Sequence, residues 1–265
     1  MNWLKDIEKA AKEVLNVLGE GYTEAVYEEA LAHELRLKKI PYDRQRNFEI
    51  LYKGYKVGVG TADLIINPRW CNSNNREIVL EVKRANKIQE SYKKQAQVYM
   101  ISLDINDGAV LCFSDNVLIE KVKKSRKTYE QYVSKPSRKV KKPILDCLKK
   151  SAQNVFEYFG TEFTFRDDLV NIFTEAIKVE LRLRRIDFSQ VGFDVTYKSQ
   201  KVGGTDFDFI FKNNEVAQIE FYDKEEKIAD LKEDLKTNRK LFGLNKAYLI
   251  AFPKSEKGQI KTESV

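Results

Sequence analysis

The sequence has few of the residues that serve as nucleophiles, soft metal ligands or covalent cross-links. Its 265 residues include one histidine, His33, and three widely separated cysteines, Cys71, Cys112 and Cys147. An odd number of scattered cysteines argues against a disulfide framework, a zinc ribbon or a four-cysteine iron–sulfur cluster. A lone histidine within a helical pattern is more often a structural residue than a catalyst. These absences exclude most histidine- and cysteine-based chemistry.

Long hydrophobic runs are also missing. No apolar stretch approaches the roughly 18 residues that cross a bilayer, and the N-terminal segment alternates charged and apolar residues, unlike a signal peptide. Five prolines, 42% hydrophobic residues and 33% charged residues are typical of a folded globular protein. We expect an intracellular, cytoplasmic protein without a membrane partner; for a viral protein this is the cytoplasm of the host.

Positive charge is concentrated in one part of the chain. The net charge is +7, and the segment Lys121–Lys150 holds twelve Lys and Arg residues against only Glu130 and Asp146. Such a segment is either a solvated linker or a surface that binds phosphates. Composition alone leaves both interpretations open. The candidate phosphate-binding residues are Lys123, Lys124, Arg126 and Lys127.

The sequence repeats itself. "ELRLKKI" at Glu34–Ile40 recurs as "ELRLRRI" at Glu180–Ile186, and "YKGYKVGVGTADLII" at Tyr52–Ile66 aligns with "YKSQKVGGTDFDFIF" at Tyr197–Phe211. Further matches keep the same order, which indicates a tandem duplication. We predict one domain over residues 1–120, a basic linker over 121–143 and a second domain over 144–265. Hydrophobic periodicity predicts helix, helix, three strands, helix and strand in each copy, and thus a mixed α/β sandwich.

Charged residues interrupt two apolar strands of the first copy. Asp63 lies in "ADLII", and Glu81 lies in "VLEVK" two residues before Lys83. Residues two apart on a strand point to the same face, so Glu81 and Lys83 project together. Two carboxylates and a lysine could hold a divalent cation and place an ammonium beside the water it polarises. A salt bridge at a sheet edge is the alternative.

Two helical motifs accompany these strands. Gly21, Glu24 and Tyr27 are spaced three apart at the start of a long helix, and Gln95 and Tyr99 are four apart on a later one. The side chains of Glu24 and Tyr27 share one helix face, and so do those of Gln95 and Tyr99. Glu24 is thus a third candidate carboxylate.

Together the motifs resemble the PD-(D/E)XK nuclease superfamily. Asp63 and Glu81-Val82-Lys83 are similar to its signature, and Gly21-x-x-Glu24-x-x-Tyr27 is similar to the motif of its GxxExxY group. Gln95-x-x-x-Tyr99 resembles a motif of the RecB-like branch. The resemblance covers roughly residues 5–120. It implies a restriction-endonuclease-like αβββαβ core with helices flanking a mixed sheet.

The resemblance also implies Mg²⁺- or Mn²⁺-dependent phosphodiester cleavage without an iron–sulfur cluster. Asp63, Glu81, the Val82 carbonyl and Glu24 would be the metal ligands. Lys83 would orient the attacking water and stabilise the phosphate, while Gln95, Tyr99 and Tyr27 would contact nucleic acid. Phosphoryl transfer depends mainly on charge stabilisation and a positioned water, which this set supplies.

The second copy keeps the apolar framework and loses most of the polar site. Our alignment places Asp208 on Asp63, Glu220 on Glu81 and Tyr222 on Lys83. The helix residues Glu24, Tyr27 and Gln95 correspond there to Val170, Phe173 and Asp234. We therefore predict a degenerate copy that helps to bind substrate or forms an interface.

The leading hypothesis is a DNA-cleaving enzyme, an end-processing exonuclease with room for endonuclease activity, and one active site per chain. A non-catalytic nucleic-acid-binding or adaptor protein on the same scaffold is the alternative. A homodimer, and helicase or defence-system partner proteins, are compatible with the resemblance.

Overall fold

The chain folds into two compact units, Met1–Val133 and Ser134–Val265. The computed structural model describes residues 3–67, 77–124, 143–164, 170–190 and 192–265. None of the described helices is long and apolar enough to cross a membrane.

The described part of the first unit has three helices around a five-stranded sheet. Helix α1 is amphipathic, with Ile7, Ala10, Ala11 and Val14 buried at the three- and four-residue spacing of one helix face. The helices are α1 (Trp3–Leu18), α2 (Glu24–Leu37) and α3 (Glu90–Ser102), and the strands are β1 (Tyr42–Tyr52), β2 (Tyr55–Ile66), β3 (Ile78–Arg84), β4 (Asp107–Phe113) and β5 (Val117–Lys123).

The strands of this sheet lie in the order in which they follow one another in the chain, from β1 to β5. Strands β3 and β4 are parallel, and the other neighbours are antiparallel. A parallel pair needs a crossover connection, which helix α3 supplies between β3 and β4. The sheet is therefore mixed, as the resemblance implied.

Alternation along β3 decides which residues reach the core. Ile78, Leu80 and Val82 belong to the apolar cluster that β3 shares with α1 and α2. Successive strand residues point to opposite faces, so Glu81 and Lys83 project to the face covered by α3. The charged pair thus lies on the opposite face of the sheet from the α1–α2 cluster.

The second unit repeats this architecture. Its main sheet has the order β12-β11-β10-β9-β6, with β10 and β11 parallel and the other neighbours antiparallel, and β7 and β8 form a separate hairpin. The helices are α4 (Ile144–Phe159), α5 (Val170–Leu183) and α6 (Lys227–Leu241), with a 3-10 helix at Thr161–Thr164, and the strands are β6 (Phe188–Ser189), β7 (Gly192–Tyr197), β8 (Gln200–Asp206), β9 (Phe209–Phe211), β10 (Glu215–Tyr222), β11 (Lys246–Pro253) and β12 (Lys261–Ser264).

The predicted duplicated α/β fold is confirmed, with two corrections. The first unit has five described strands and the second has seven, whereas four were predicted in each. The strands β5 and β12 are additional ones that pair antiparallel with the strands predicted to be last. The predicted start of the linker is also wrong, since residues 121–123 belong to β5. Residues 125–142 of the connection, including Arg126 and Lys127, lie outside the described residues.

Candidate active site

The site begins where strands β2 and β3 separate. Their ladder ends at the pair Leu64 and Leu80, one residue before Asp63. There the Asp63 carboxylate replaces a ladder bond, because its Oδ2 accepts the Val82 N–H at 2.9 Å. Asp63 is therefore held beside the backbone of Val82, the residue that follows Glu81.

Glu81, Lys83 and Glu24 meet at this separation point. Lys83 Nζ donates to Glu81 Oε1 at 2.7 Å and approaches Glu24 Oε1 at 3.5 Å. Glu24 Oε2 also accepts the Arg84 N–H at 3.3 Å. Because Glu24 is the first residue of α2, its negative charge is favoured there by the helix dipole. Lys83 thus lies between a strand carboxylate and a helix carboxylate.

Burial and mutual repulsion dominate the electrostatics of the carboxylates. Burial, and then the charge of Glu81, raise the pKa of Asp63 well above its ordinary value, against the opposing effect of Lys83. Burial by itself would lower the pKa of Lys83, but Glu81, Asp63 and Glu24 together raise it. Lys83 is therefore a permanent cation at neutral pH. Burial raises the pKa of the neighbouring Cys112 thiol to about 11, so this thiol stays protonated.

The donor set fits a hard divalent cation with a partly hydrated shell. Glu81 is 1% exposed, and its Oε2 is buried without a hydrogen-bond partner among the described residues. That unused oxygen and the charge repulsion at Asp63 are the features that an oxygen-coordinated cation would relieve. No group of three or more His, Cys, Asp or Glu residues in the described chain is already arranged to hold a metal. Two carboxylates, a backbone carbonyl and waters suit the coordination of Mg²⁺, which usually keeps several water ligands.

The sequence matches the PD-(D/E)XK nuclease superfamily over residues 1–125 and again over 144–263. The chain belongs to the PD-(D/E)XK nuclease superfamily. Members of this superfamily are typically phosphodiester hydrolases and generally use divalent metals. Both copies belong to it, which confirms that the repeat is a repeat of this fold.

Other comparisons add little to the family assignment. A comparison with curated proteins finds no match. Among solved structures, the crystal structure of SSO0001 is similar at 20% sequence identity, over 48% of this chain and 79% of that chain, with a TM-score of 0.28. A likeness this weak carries no conclusion about this chain.

In this PD-(D/E)XK chain the GxxExxY motif builds the entry to α2. Gly21 has φ +96°, a left-handed conformation that glycine adopts at little cost. Tyr27 is 1% exposed, donates its hydroxyl to the Gly19 carbonyl at 2.8 Å and stacks on Phe113 at 4.6 Å between ring centroids. Its burial argues against the predicted contact with nucleic acid and gives Tyr27 a role in holding α2.

Gln95 and Tyr99 are also buried. They are 4% and 0% exposed, Gln95 Nε2 donates to the Tyr99 hydroxyl at 3.0 Å, and the Tyr99 ring packs edge-on against Phe48. Side chains with so little exposed surface cannot contact a nucleic acid directly in this conformation. The predicted contact is therefore replaced by a structural pair beneath the site face.

Two of the four predicted basic residues can be placed. Lys123 ends strand β5 and is exposed, and Lys124 Nζ pairs with Asp104 at 2.5 Å. An ion pair with a protein carboxylate reduces the charge that Lys124 offers to a phosphate. Of the two, Lys123 is thus the better placed for a phosphate.

Strand register corrects our alignment of the second copy. There the ladder between β9 and β10 ends at the pair Phe209 and Ala217, and Asp208 Oδ2 accepts the Ile219 N–H at 2.6 Å. This is the same arrangement as in the first copy, shifted by two residues from the predicted alignment. Gln218 therefore occupies the position of Glu81, and Glu220, not Tyr222, occupies the position of Lys83.

With the corrected register, the position of Lys83 holds a negative charge in the second site. Burial raises the pKa of Glu220, and the nearby charges of Asp208 and Asp234 raise it further. A carboxylate thus stands where the first copy has its buried lysine, and an amide stands where it has the second strand carboxylate. No described residue of this copy places a cation at the position of Lys83, where it would stabilise a scissile phosphate.

Sequence reasoning missed a buried carboxylate beside the site. Glu28 lies one helical turn after Glu24, is 6% exposed and accepts hydrogen bonds from Arg44 and Gln45 of strand β1. The available signal was an acidic residue on the buried face of α2, next to the buried Leu31 and Ala32. Such a residue needs a partner, and no periodicity argument names that partner.

Proposed function

We propose that the protein is a divalent-metal-dependent deoxyribonuclease that hydrolyses phosphodiester bonds at one active site, located in the first copy. The observation that supports this most is the Glu81 carboxylate. One of its oxygens pairs with Lys83, and the other is buried with no hydrogen-bond partner in the described part of the chain, close to Asp63, whose pKa is raised by burial and by Glu81. Buried polar oxygens usually have a hydrogen-bond partner, so this oxygen is a candidate ligand for a cation.

Asp63, Glu81 and the Val82 carbonyl would hold Mg²⁺ or Mn²⁺. When bound, the metal would polarise a water and neutralise charge on the phosphate. Lys83 keeps its proton at neutral pH and would orient that water and stabilise the phosphate oxygens. Glu24 accepts from Lys83 and from the Arg84 backbone, so it would fix the lysine and reach the metal through water.

The restriction to one site rests on the second copy's exchanged residues. Gln218 removes a ligand charge, and Glu220 places a negative charge where a phosphate would need a cation. Burial raises the pKa of Asp208, and the charge of Lys178, which is 9% exposed, is among the effects that oppose this rise. An internal cation thus already acts on the one carboxylate that both copies share.

We further propose that the enzyme is an end-processing exonuclease, because Gln95-x-x-x-Tyr99 resembles the motif of the RecB-like branch. DNA as the substrate agrees with the basic segment 121–143. We also propose that the protein forms a homodimer and acts with helicase or defence-system partner proteins.

The test is incubation with four end-labelled DNAs: linear and closed circular, each single- and double-stranded. Each is treated with Mg²⁺, Mn²⁺ or EDTA. The proposal predicts cleavage of linear DNA that EDTA abolishes, with mononucleotides or short fragments released from the ends. Cleavage of closed circles, which have no ends, would show that the enzyme is an endonuclease. Binding without cleavage of any substrate would contradict the enzyme and favour an adaptor.

A further inference from the structure

A set of polar residues joins the helix and the strands that carry the candidate site, and the proposed reaction does not use it. Glu28 Oε1 accepts Arg44 Nε at 2.7 Å and Gln45 Nε2 at 2.8 Å, and Glu28 Oε2 accepts the same Gln45 amide at 2.9 Å. Arg44 also reaches Glu29 on the outer side of the helix. Helix α2 is thereby tied to two consecutive residues of β1.

The backbone of Gln45 is unusual. Its φ is +51°, and among the described non-glycine residues with positive φ it alone lies inside a strand, since the others are at turns and helix ends. A long side chain adopts this left-handed conformation only where its surroundings hold it. The two bonds from the Gln45 amide to Glu28 are such a restraint.

The unusual residue lies directly across from the candidate metal ligand. In the ladder between β1 and β2, Arg44 pairs with Leu64 and Arg46 pairs with Ala62, which leaves Gln45 facing Asp63. Glu28 is close enough for its charge to act on Asp63. The same helix carries Glu24, one turn earlier, to Lys83.

We propose that Glu28 is a positioning residue which, with Arg44 and Gln45, forms a clasp that holds α2 against the strand facing Asp63. The clasp fixes the spacing of Glu24 and Asp63 and so keeps the carboxylates arranged for the metal. This inference rests on the proposed function, because the arrangement matters only if the site binds a metal and cleaves a phosphodiester.

Among its described residues, the second copy lacks the counterparts of Glu28 and Arg44. Helix register places a threonine at the Glu28 position, and its hydroxyl donates instead to Asp208 at 3.5 Å. The register of β6 against β9 places a glutamine at the Arg44 position. The residues at the Glu28 and Arg44 positions are thus Thr174 and Gln190. The clasp and the lysine are therefore both absent from the copy that has no complete site.

The test compares Glu28→Ala with Glu29→Gln, a control that removes only the charge from the exposed outer partner of Arg44. Loss of an outer-shell residue typically costs about 10- to 100-fold in activity or metal affinity. Glu28→Ala should lower kcat by that factor, leave KM for DNA within about twofold, and weaken Mn²⁺ binding measured by calorimetry without DNA. Glu29→Gln should match the wild type. Glu28→Gln should rescue part of the loss, because its amide oxygen still accepts from Gln45.

A third readout does not depend on activity. The Val82 N–H is protected by its bond to Asp63, so hydrogen exchange at Val82 should accelerate in Glu28→Ala while amides of the second unit keep their rates. If Glu28→Ala does not fold, Gln45→Gly removes the clasp side chain and keeps the positive φ accessible.

Folded variants with wild-type kcat, Mn²⁺ affinity and Val82 exchange would overturn the clasp. If the wild type itself neither binds Mn²⁺ nor cleaves DNA, the proposed function fails, and exchange at Val82 alone decides the clasp.

Discussion

Asp63 couples the candidate site to the stability of the first unit. Its pKa is raised above the ordinary value of 3.8 by burial first and by Glu81 second. Between about pH 4 and the raised pKa, the folded state binds more protons than the unfolded state, so the free energy of unfolding falls as pH rises. Deprotonation of Asp63 therefore destabilises the metal-free fold of the first unit.

Asp63→Asn should remove this pH dependence. The amide oxygen still accepts the Val82 N–H, but it carries no charge. We expect metal-free Asp63→Asn to unfold at a temperature several degrees higher than the wild type at neutral pH, and to lose cleavage. Thermal unfolding in EDTA from about pH 4 to pH 8 measures both the unfolding temperature and its dependence on pH. A variant that unfolds below the wild type with an unchanged slope would refute this account of Asp63.

Short sequence motifs were enough to identify the four candidate site residues of the first copy. Asp63, Glu81, Lys83 and Glu24 come together as expected, because each lies at a recognisable position on its strand or helix. The Glu28 clasp could not be predicted, since its partner Gln45 is distant in sequence and depends on a left-handed backbone.

The repeated "ELRL" segment shows how one helical sequence serves two environments. In α2, Glu34 pairs with Lys38 at 2.8 Å, and the two side chains are 15% and 40% exposed. In α5, Glu180 is 1% exposed and accepts from Arg184 at 2.8 Å and from Asn154 at 3.1 Å. The second glutamate is a buried hydrogen-bond acceptor that joins α5 to α4.

Glu180→Ala should therefore destabilise the protein more than Glu34→Ala. Loss of a buried charged acceptor leaves its donors unsatisfied and costs about 1–3 kcal/mol, whereas a partly exposed helical ion pair contributes about 0–1 kcal/mol. Urea unfolding of the two variants measures the difference. Equal midpoints would show that the two helices use this glutamate in the same way.

At the element scale, strand register could not be predicted for β10. A slip of two residues keeps every side chain on its original face, so the hydrophobic pattern is unchanged by the error. Only the ladder bonds of Asp208 and Ala217 reveal that Gln218 and Glu220 replace Glu81 and Lys83.

At the scale of the whole molecule, the basic connection is the remaining candidate for DNA binding. Lys123, Lys124, Arg126 and Lys127 replaced together by glutamine should weaken binding to all sequences alike. Each lost phosphate contact lowers the slope of log K against log salt by about 0.7–0.9, so the total loss is at most about 3–4. The loss should fall short of this limit, because Lys124 already pairs with Asp104.

The measurement is a salt titration of DNA affinity in Ca²⁺. A control of equal charge replaces four exposed lysines of the second unit, Lys224, Lys227, Lys240 and Lys257, by glutamine. The same slope in the linker variant and the wild type would make the segment a tether only.

We propose that one PD-(D/E)XK site, in the first copy, performs metal-dependent cleavage. A parallel assay of wild type, Glu81→Ala and Glu220→Ala on linear DNA in Mg²⁺, with folding checked by thermal unfolding, decides whether it does. Glu81→Ala should lose about 100-fold or more of the cleavage rate, because it removes a ligand and the partner of Lys83. Glu220→Ala should stay within about twofold of the wild type, since no reacting group depends on it. Full activity in folded Glu81→Ala, or loss of activity in folded Glu220→Ala, would contradict the claim.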